Sequence, residues 1–283
     1  MSSIVKSNPK VKKHNNLTQA HFFNVSVIAY RLILLAGTDK FLENMLKSGE
    51  NTYIRITAHD YHNLYGSSSD MSGSYKAIKD APDDLLNAKL KYKKLKTESD
   101  PGRWVGGINW VQDARYNDEL KCVEILFSTT VLPLLANVRK SFTYYNLRHI
   151  GRLSSMHSIR MYELMMMWRK SGKTPDLTVS YMKNFLGVPD NEYSDPKELK
   201  FFTAQVIKKS VKEVTSKTNI EMDFEVVRGE KRATIGYSFS HKPKALAEGE
   251  QPEQEEVEDD NEEGVDPNNL LPNNNDEDPE LPF

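Results

Sequence analysis

Residues 183–240 show the clearest pattern of apolar and polar positions in the chain. A short apolar segment precedes Asp195, and Asp195 suits a helix N-cap. Pro196 suits the first helical position, because its missing N–H costs nothing there. Apolar residues then recur at helical spacing, which predicts a long helix ending near Thr218. The half of this helix expected to face a core carries Leu199, Phe202, Val206, Ile207, Val211 and Val214.

The opposite half of this predicted helix is basic and polar. Its candidate DNA contacts are Lys197, Lys200, Phe201, Ala204, Gln205, Lys208, Lys209 and Lys212. Cations, an amide and small or flat apolar groups are what a helix needs to contact phosphates and base edges in a major groove. A lysine-rich face is also common on a solvated helix, so the helix alone leaves both interpretations open.

Two segments of alternating polarity, 220–227 and 232–239, follow this helix. They predict a hairpin with a turn at 228–231, where Gly229 suits a tight connection. The tip is basic and adds three candidate DNA contacts, Arg228, Lys231 and Arg232. A short helix, a turn, a long basic helix and a basic-tipped hairpin, in that order, predict a DNA-binding winged helix.

A similar succession is predicted earlier in the chain. Ser26 suits the N-cap of a helix at 27–36, which ends at Gly37, a position that favours left-handed backbone. This helix is apolar almost all round, so it is buried either within its domain or against a second copy of the chain. A short helix at 41–47, a strand at 52–57 and a helix at 58–64 capped by Thr57 follow.

The next helix, from about Ser72, completes a second helix-turn-helix. Its N-terminal turns carry polar groups expected to enter a groove: Ser72, Ser74, Tyr75, Lys76 and Lys79. Pro82 is predicted to kink or split the helix, with Asp80 as a new N-cap. Alternation at 104–116 and 120–127 predicts a hairpin, the first wing, and we expect both wings to be basic.

The predicted fold is therefore α+β, with two tandem winged-helix domains. We place a flexible basic arm at 1–19, domain 1 at 20–142, domain 2 at 143–244 and a tail at 245–283. The arm is either a solvated tail or a segment that touches phosphates. Residues 130–139 and 144–150 connect the halves, and domain 2, the expected main DNA-reading domain, opens with a helix capped by Ser154 or Ser155 that ends at Gly172. A strand at 177–179 and a helix at 181–186 lead into residues 187–240.

Charge is distributed unevenly along the chain. The formal net charge is -2, yet residues 245–283 hold 15 acidic residues and no Lys or Arg, which leaves 38 basic and 25 acidic residues before them, a charge of +13. A body this basic favours a polyanion as partner, nucleic acid rather than membrane. The composition of the acidic tail is typical of disordered segments.

No motif in the sequence supports catalysis. Gly172-Lys173-Thr174 lacks the glycine-rich loop of a phosphate-binding motif, and His59 and His62 have no third metal ligand near them in sequence. We predict no enzymatic activity, no catalytic residues, no cofactor and no metal. Cys122 is alone and no apolar leader is present, so a cytoplasmic protein is expected.

Several segments match a known family in order and spacing: RLILLA at 31–36, SYKAIKDAPDDLLN at 74–87, RWVGGINWV at 103–111, IRMYELMMMWRKSGKTP at 159–175 and LGVPDNEY at 186–193. Over roughly residues 20–242 the chain thus resembles the replication initiators of iteron-controlled bacterial plasmids. The resemblance implies that monomers bind direct repeats at an origin through both domains, and that dimers formed through domain 1 repress the initiator's own gene. It also implies host partners such as an initiator, a helicase or a primase.

Two departures from the family pattern change the expected readout. Where the family commonly has Lys-Lys-Arg, this chain has Thr203, Ala204 and Gln205, so Gln205 is expected to read adenine. Pro82 stands where the family usually continues its helix, which predicts a different docking angle for domain 1.

Two alternatives remain open from the sequence. A winged-helix transcriptional repressor without initiator activity would have the same DNA-binding pattern. The tail ends in Leu281, Pro282 and Phe283 after a run of acids, which resembles the C-terminal tip that bacterial single-stranded-DNA-binding proteins dock into replication enzymes. The tail is therefore either a docking segment or a solubilising one.

Overall fold

The computed structural model describes residues 9–38, 41–66, 69–93, 105–136, 138, 141–189 and 191–244. Its first elements are strand β1 (Lys10–His14), helix α1 (Asn15–Gln19) and strand β2 (His21–Phe23). Strand β1 pairs antiparallel with Phe142–Asn146, from the connection between the domains. The prediction of a flexible arm is thus wrong for residues 10–19, because a distant strand supplies the backbone partners and Val11 is buried. Residues 1–8 lie outside the described part.

The predicted helices and strands of domain 1 follow in order, with the strand at Lys89–Lys93 as an element that was not predicted. They are α2 (Val27–Ala36), α3 (Phe41–Ser48), β3 (Ile54–Thr57), α4 (Ala58–Tyr65), α5 (Ser72–Asn87), β4 (Lys89–Lys93), β5 (Val105–Asn109), β6 (Val111–Asn117) and β7 (Cys122–Phe127). The predicted caps form: Ser26 accepts from the Ala29 N–H at 3.1 Å, and Thr57 forms a capping box with Asp60. Helix α2 is buried by contacts within the chain, which decides between the two alternatives for it.

Domain 1 contains two three-stranded sheets. One has the order β3–β7–β6, with β6 and β7 as the first wing, and the other has the order β2–β4–β5. The sequence predicts one strand over 104–116, whereas β5 and β6 belong to different sheets. The break is at Trp110, which is fully buried next to buried Val111, and its N–H donates to the Ala88 carbonyl at 3.2 Å. Two adjacent buried residues end the alternation that a single strand requires.

Helix α5 continues through Pro82 without splitting, because one lost N–H is offset by the burial of Ile78, Ala81 and Leu85 around it. The prediction of left-handed backbone at Gly37 is wrong. Gly37 has a right-handed φ of -64° and donates its N–H to the Ile33 carbonyl, so the end of α2 needs no left-handed residue.

The connection and domain 2 contain the remaining elements. They are α6 (Leu132–Leu135), β8 (Phe142–Asn146), α7 (Leu147–Gly151), α8 (Met156–Met167), β9 (Leu177–Thr178), α9 (Val179–Leu186), α10 (Leu199–Phe202), α11 (Lys208–Lys217), β10 (Ile220–Arg228) and β11 (Thr234–Pro243). A π-helical turn, Thr203–Ile207, joins α10 to α11. We call α10, this turn and α11 together the second recognition helix, and α5 the first.

The second recognition helix begins at Leu199, four residues after the predicted cap Asp195. The Asp195 carboxylate accepts the Lys197 N–H at 2.7 Å within a preceding turn, so its capping capacity is used outside the helix. Ser155 caps α8 as predicted, and Gly187 ends α9 with a left-handed φ of 72°.

Both domains have the same topology. The sheet order β10–β11–β9 in domain 2 repeats β6–β7–β3 in domain 1, and in each domain two helices separate the first strand of the sheet from the wing. The predicted α+β fold of two tandem winged helices is confirmed. In the described ranges no helix has both the length and the apolar character needed to cross a membrane.

A buried charge cluster joins helix α8 to β1, α2 and β8. Glu163 of α8 accepts hydrogen bonds on one carboxylate oxygen from Lys13 Nζ at 2.7 Å, Tyr30 OH at 2.7 Å and Tyr145 OH at 2.5 Å. Its other oxygen pairs with Arg160 at 3.2 Å. Burial lowers the pKa of Lys13 to about 8 although Glu163 opposes this, and the charges of Lys13 and Arg160 outweigh burial to lower the pKa of Glu163. These contacts hold three segments that are distant in sequence against one helix.

Candidate nucleic-acid interface

The second recognition helix separates its apolar and basic faces as the sequence predicts. Phe202 and Ile207 are fully buried, and Phe202 packs edge-on against Tyr237 with ring centroids 5.9 Å apart. The exposed side chains are Lys200, Phe201, Ala204, Gln205, Lys208, Lys209 and Lys212. Phe201 is 51% exposed, which makes it an apolar group on an otherwise basic surface. Lys197 lies in the turn before the helix and is also exposed.

A π-helical turn presents the central residues of this exposed face. The Thr203 hydroxyl donates to the Leu199 carbonyl at 2.8 Å and lies 2.7 Å from the Tyr237 hydroxyl. These contacts fix the inner side of the turn, while Ala204 and Gln205 lie on its outer side. Such turns are rare in helices and frequent at functional sites.

The second wing brings a basic tip to the end of the β10–β11 hairpin. Lys231 and Arg232 adopt left-handed φ values of 53° and 61°. The Arg228 guanidinium donates to the Thr234 hydroxyl at 2.7 Å. Gly229 has a φ of -96°, and a Cβ there would lie 2.8 Å from an Ile235 side-chain carbon. Glycine is therefore required at 229 for space, whereas the turn itself is made by Lys231 and Arg232.

Glu213 anchors the second recognition helix to the start of α8. Its carboxylate accepts the Ser154 N–H at 2.8 Å and the Ser154 hydroxyl at 2.6 Å, and it pairs with Lys217 at 2.7 Å. Burial would raise the pKa of Glu213, but hydrogen bonds from Lys217, Ser154 and Ser158 outweigh it and lower the pKa to about 2. Glu213 thus fixes the second recognition helix to the start of α8, and the basic face of the helix remains exposed to solvent.

The first recognition helix is basic only in its first half. Lys76 and Lys79 are exposed together with Ser72, whose hydroxyl donates to Asp70, and Tyr75 is half-buried. Ser74 is 6% exposed and its hydroxyl lies 3.0 Å from Nδ1 of His62, so it supports the turn between α4 and α5 and does not belong to the exposed face. The second half of α5 exposes Asp80, Asp83 and Asp84, so only its N-terminal turns suit a phosphate-lined groove.

The first wing is not basic at its tip, contrary to the prediction. Asp118 and Glu119 are exposed there, and Asp118 pairs with Lys121 at 3.1 Å. Lys121, and more weakly Lys79, lowers the pKa of Asp118. The prediction rested on the hairpin pattern, which does not specify the charge of the tip.

A second lysine-bearing surface was not predicted from the sequence. Strand β4 exposes Lys89 and Lys91 on one face, with Leu90 buried between them. The alternation in Lys-Leu-Lys-Tyr-Lys at 89–93 was the available signal.

The docking residues predicted in the tail, Leu281, Pro282 and Phe283, lie outside the described residues. Within the described residues no three His, Cys, Asp or Glu side chains group as a metal site would require.

Comparisons with known proteins agree with this architecture. Residues 10–166 match the family model described as "Initiator Replication protein, WH1", and residues 178–241 match "Initiator Rep protein, WH2". An Escherichia coli protein described as an uncharacterized 27.6 kDa protein is 24% identical over 230 residues, which cover 77% of this chain and 90% of that protein.

Two solved structures are also similar to the chain. A crystal structure of Pi initiator protein in complex with iteron DNA covers 86% of this chain and 100% of its own, with a TM-score of 0.66 and 20% identity, so the two share a fold. The WH1 domain of MSBI1.176, a replication protein isolated from a multiple sclerosis patient, is 30% identical, covers 43% of this chain and 87% of its own, and has a TM-score of 0.31.

Proposed function

Because the chain belongs to the family of initiator replication proteins, we propose that it initiates plasmid replication by binding direct repeats, or iterons, at the origin. The observation that carries the proposal is the exposed basic face of the second recognition helix beside a basic wing tip. A solved initiator that shares the fold holds iteron DNA, which supports the same class of ligand here.

Domain 2 is the main DNA-reading domain in this proposal, with boundaries near 143 and 244, and domain 1 covers residues 20–142. Gln205 contacts a base edge, with adenine as the favoured base for a bidentate amide. Lys208, Arg228, Lys231 and Arg232 contact phosphates, which position the helix without specifying sequence. Lys76 and Lys79 of domain 1 contact a second groove segment through the first turns of α5.

The test is footprinting of the purified full chain on DNA from upstream of its own gene. Each recognition helix spans a few base pairs and neighbouring major-groove segments lie about one turn apart, so each repeat should be protected continuously over roughly two turns. Protection of one short half-site would contradict reading by both domains. Replication of an origin fragment that depends on the protein separates an initiator from a repressor.

The remaining parts of the proposal concern partners. We propose that a second copy associates through domain 1 and that this dimer represses the initiator's own gene. Host replication proteins such as an initiator, a helicase or a primase are recruited at the bound origin. The protein acts in the cytoplasm, without enzymatic activity. A reporter under its own promoter should be silenced by the wild-type chain, and size-exclusion chromatography should show a dimer that dissociates on dilution.

A further inference from the structure

The outer face of the β2–β4–β5 sheet combines residues from three strands of domain 1. Pairing places Lys89 opposite Phe23 and Asn109, and Lys91 opposite His21 and Gly107. Directly opposed residues on neighbouring strands project to the same side of a sheet. Leu90, between the two lysines, is 4% exposed and packs into the core on the other side. We call these residues the basic sheet face: His21, Phe23, Lys89, Lys91, Gly107 and Asn109.

The basic sheet face differs in charge from the two sheets that contain the wings. No Asp or Glu occurs in β2, β4 or β5. In the β3–β7–β6 sheet, by contrast, Glu124 pairs with Arg55 at 2.6 Å and with Arg115 at 2.8 Å. Strand β10 of domain 2 exposes Glu221, Asp223 and Glu225. The cations of the basic sheet face thus lie on strands without acids, which favours an external polyanion.

One lysine of this face is held in position by an aromatic ring. Lys91 Nζ lies 3.5 Å from the centroid of the Phe23 ring, which is itself 38% exposed. A ring attracts an ammonium group without cancelling its charge, so this contact favours one position of the Lys91 side chain. Opposite it, Gly107 has no side chain, which leaves the surface beside Lys91 flat enough for close approach by a ligand backbone.

The sheet that bears the basic sheet face adjoins elements next to both recognition helices. Strand β4 begins two residues after the end of the first recognition helix. Strand β2 meets the end of α9, the helix that precedes the second recognition helix: a Cβ on Gly187 would lie 3.1 Å from the Phe22 carbonyl oxygen. The sheet therefore adjoins the segments that lead out of one recognition helix and into the other.

We propose that the basic sheet face contacts the phosphate backbone of the duplex between the segments read by the two recognition helices. This rests on the proposed function and adds a third contact to it. Lys89 and Lys91 each neutralise a phosphate, and the contact is independent of sequence because no base edge is reached.

The experiment measures binding of the full chain to a duplex containing one repeat, over a series of salt concentrations. Lys89→Gln, Lys91→Gln and the double variant are compared with wild type, with Lys242→Gln as matched control. Lys242 is an exposed lysine of β11 that pairs with Glu221 at 2.9 Å. Each sheet substitution should lower the slope of log K against log salt by about 0.9 and weaken binding about five- to eightfold near 0.1–0.15 M salt. The control should change neither.

A hydroxyl-radical footprint locates the contact. The double variant should lose protection of backbone positions between the two protected grooves and retain protection within them. Lys91→Arg should restore binding, since it keeps the charge over the Phe23 ring. Thermal unfolding checks that each variant is folded. If Lys91→Gln lowers stability, Lys89→Gln still tests the phosphate contact, because the Lys91 contact with the Phe23 ring is left intact.

The possible outcomes separate this inference from the proposed function. Failure of wild type to bind any repeat would overturn the proposed function. If wild type binds and Lys208→Gln weakens it while the sheet variants bind with unchanged slope, the inference alone is overturned. Tighter DNA binding by the sheet variants would also overturn it, since the acidic residues 245–283 would then be the ligand of this face.

Discussion

Glu163→Gln tests how strongly the buried charge cluster holds α8 to β1, α2 and β8. Glu163, Lys13 and Arg160 are at most 1% exposed, and the carboxylate has four hydrogen-bonding partners. An amide of the same shape removes the negative charge and leaves the ammonium and the guanidinium buried together. Removing one partner of a buried pair costs about 3–5 kcal/mol. Native stability is about 5–15 kcal/mol, so the loss is a large fraction of it.

The assay is urea unfolding of the full chain followed by circular dichroism and tryptophan fluorescence. We expect a loss of about 3–5 kcal/mol and a fall in Tm of roughly 6–20 °C, taking 2–4 °C per kcal/mol for a chain of this size. The matched control, Glu225→Gln on the exposed side of β10, should change stability by less than about 0.5 kcal/mol. A loss below about 1 kcal/mol for Glu163→Gln would refute the reasoning.

The pH dependence of this loss gives an independent check. Lys13 has a pKa of about 8 in the folded wild type, and without Glu163 that pKa falls further. At pH values between the Lys13 pKa of the variant and that of the wild type, the folded variant binds fewer protons than the folded wild type. The difference in free energy of unfolding between wild type and variant therefore shrinks as pH rises through this range. Above pH 8 the titration of Lys13 no longer changes this difference. An advantage that grew between pH 7 and 8 would contradict the assigned pairing.

Three further results are expected. Gln205→Ala should change preference at one base pair by about 1–3 kcal/mol, whereas Lys231→Ala should weaken binding to all sequences alike and lower the salt slope by about one, both measured by titration of a repeat and its single-base variants. Identical behaviour of these two variants would contradict the assigned readout. Glu213 has a pKa lowered to about 2, so its contribution to stability is present above pH 4.5 and lost as pH falls from 4.5 toward 2; Glu213→Gln should flatten urea-determined stability in that window. Removing residues 245–283, with their 15 acids, should raise affinity for random duplex, most at low salt, and an unchanged affinity would show that the tail does not compete with DNA.

Local chemistry explains which parts of the fold could be predicted from the sequence. Ser26, Thr57 and Ser155 cap helices through contacts within three residues, and these signals appear directly in the sequence. The period of the second recognition helix likewise predicts which lysines are exposed. Both kinds of signal depend on neighbours along the chain rather than on the tertiary structure.

Two of the incorrect predictions involve contacts between segments that are separated along the chain. Strand β1 needs Phe142–Asn146 as its partner, and Ser74 is buried only because His62 of the preceding helix packs against it. Helical period identifies the side of α5 that faces inward but not what packs there. The lysines of β4 were not predicted because their strand belongs to a sheet outside the helix-turn-helix and wing pattern, and its partners β2 and β5 are separated from it along the chain.

The π-helical turn in the second recognition helix affects how this helix can change in length. Its hydrogen bonds close over five residues, so it holds one residue more than the α-turn it replaces. A one-residue deletion inside Thr203–Ile207 can be absorbed as regular α-helix, whereas a deletion elsewhere would rotate every later residue by about 100°. After a deletion inside the π-helical turn, residues Lys208–Lys217 would keep their packing against α8. We therefore expect loss of one residue to be tolerated at the turn that carries Gln205, where it would change DNA preference without changing the fold.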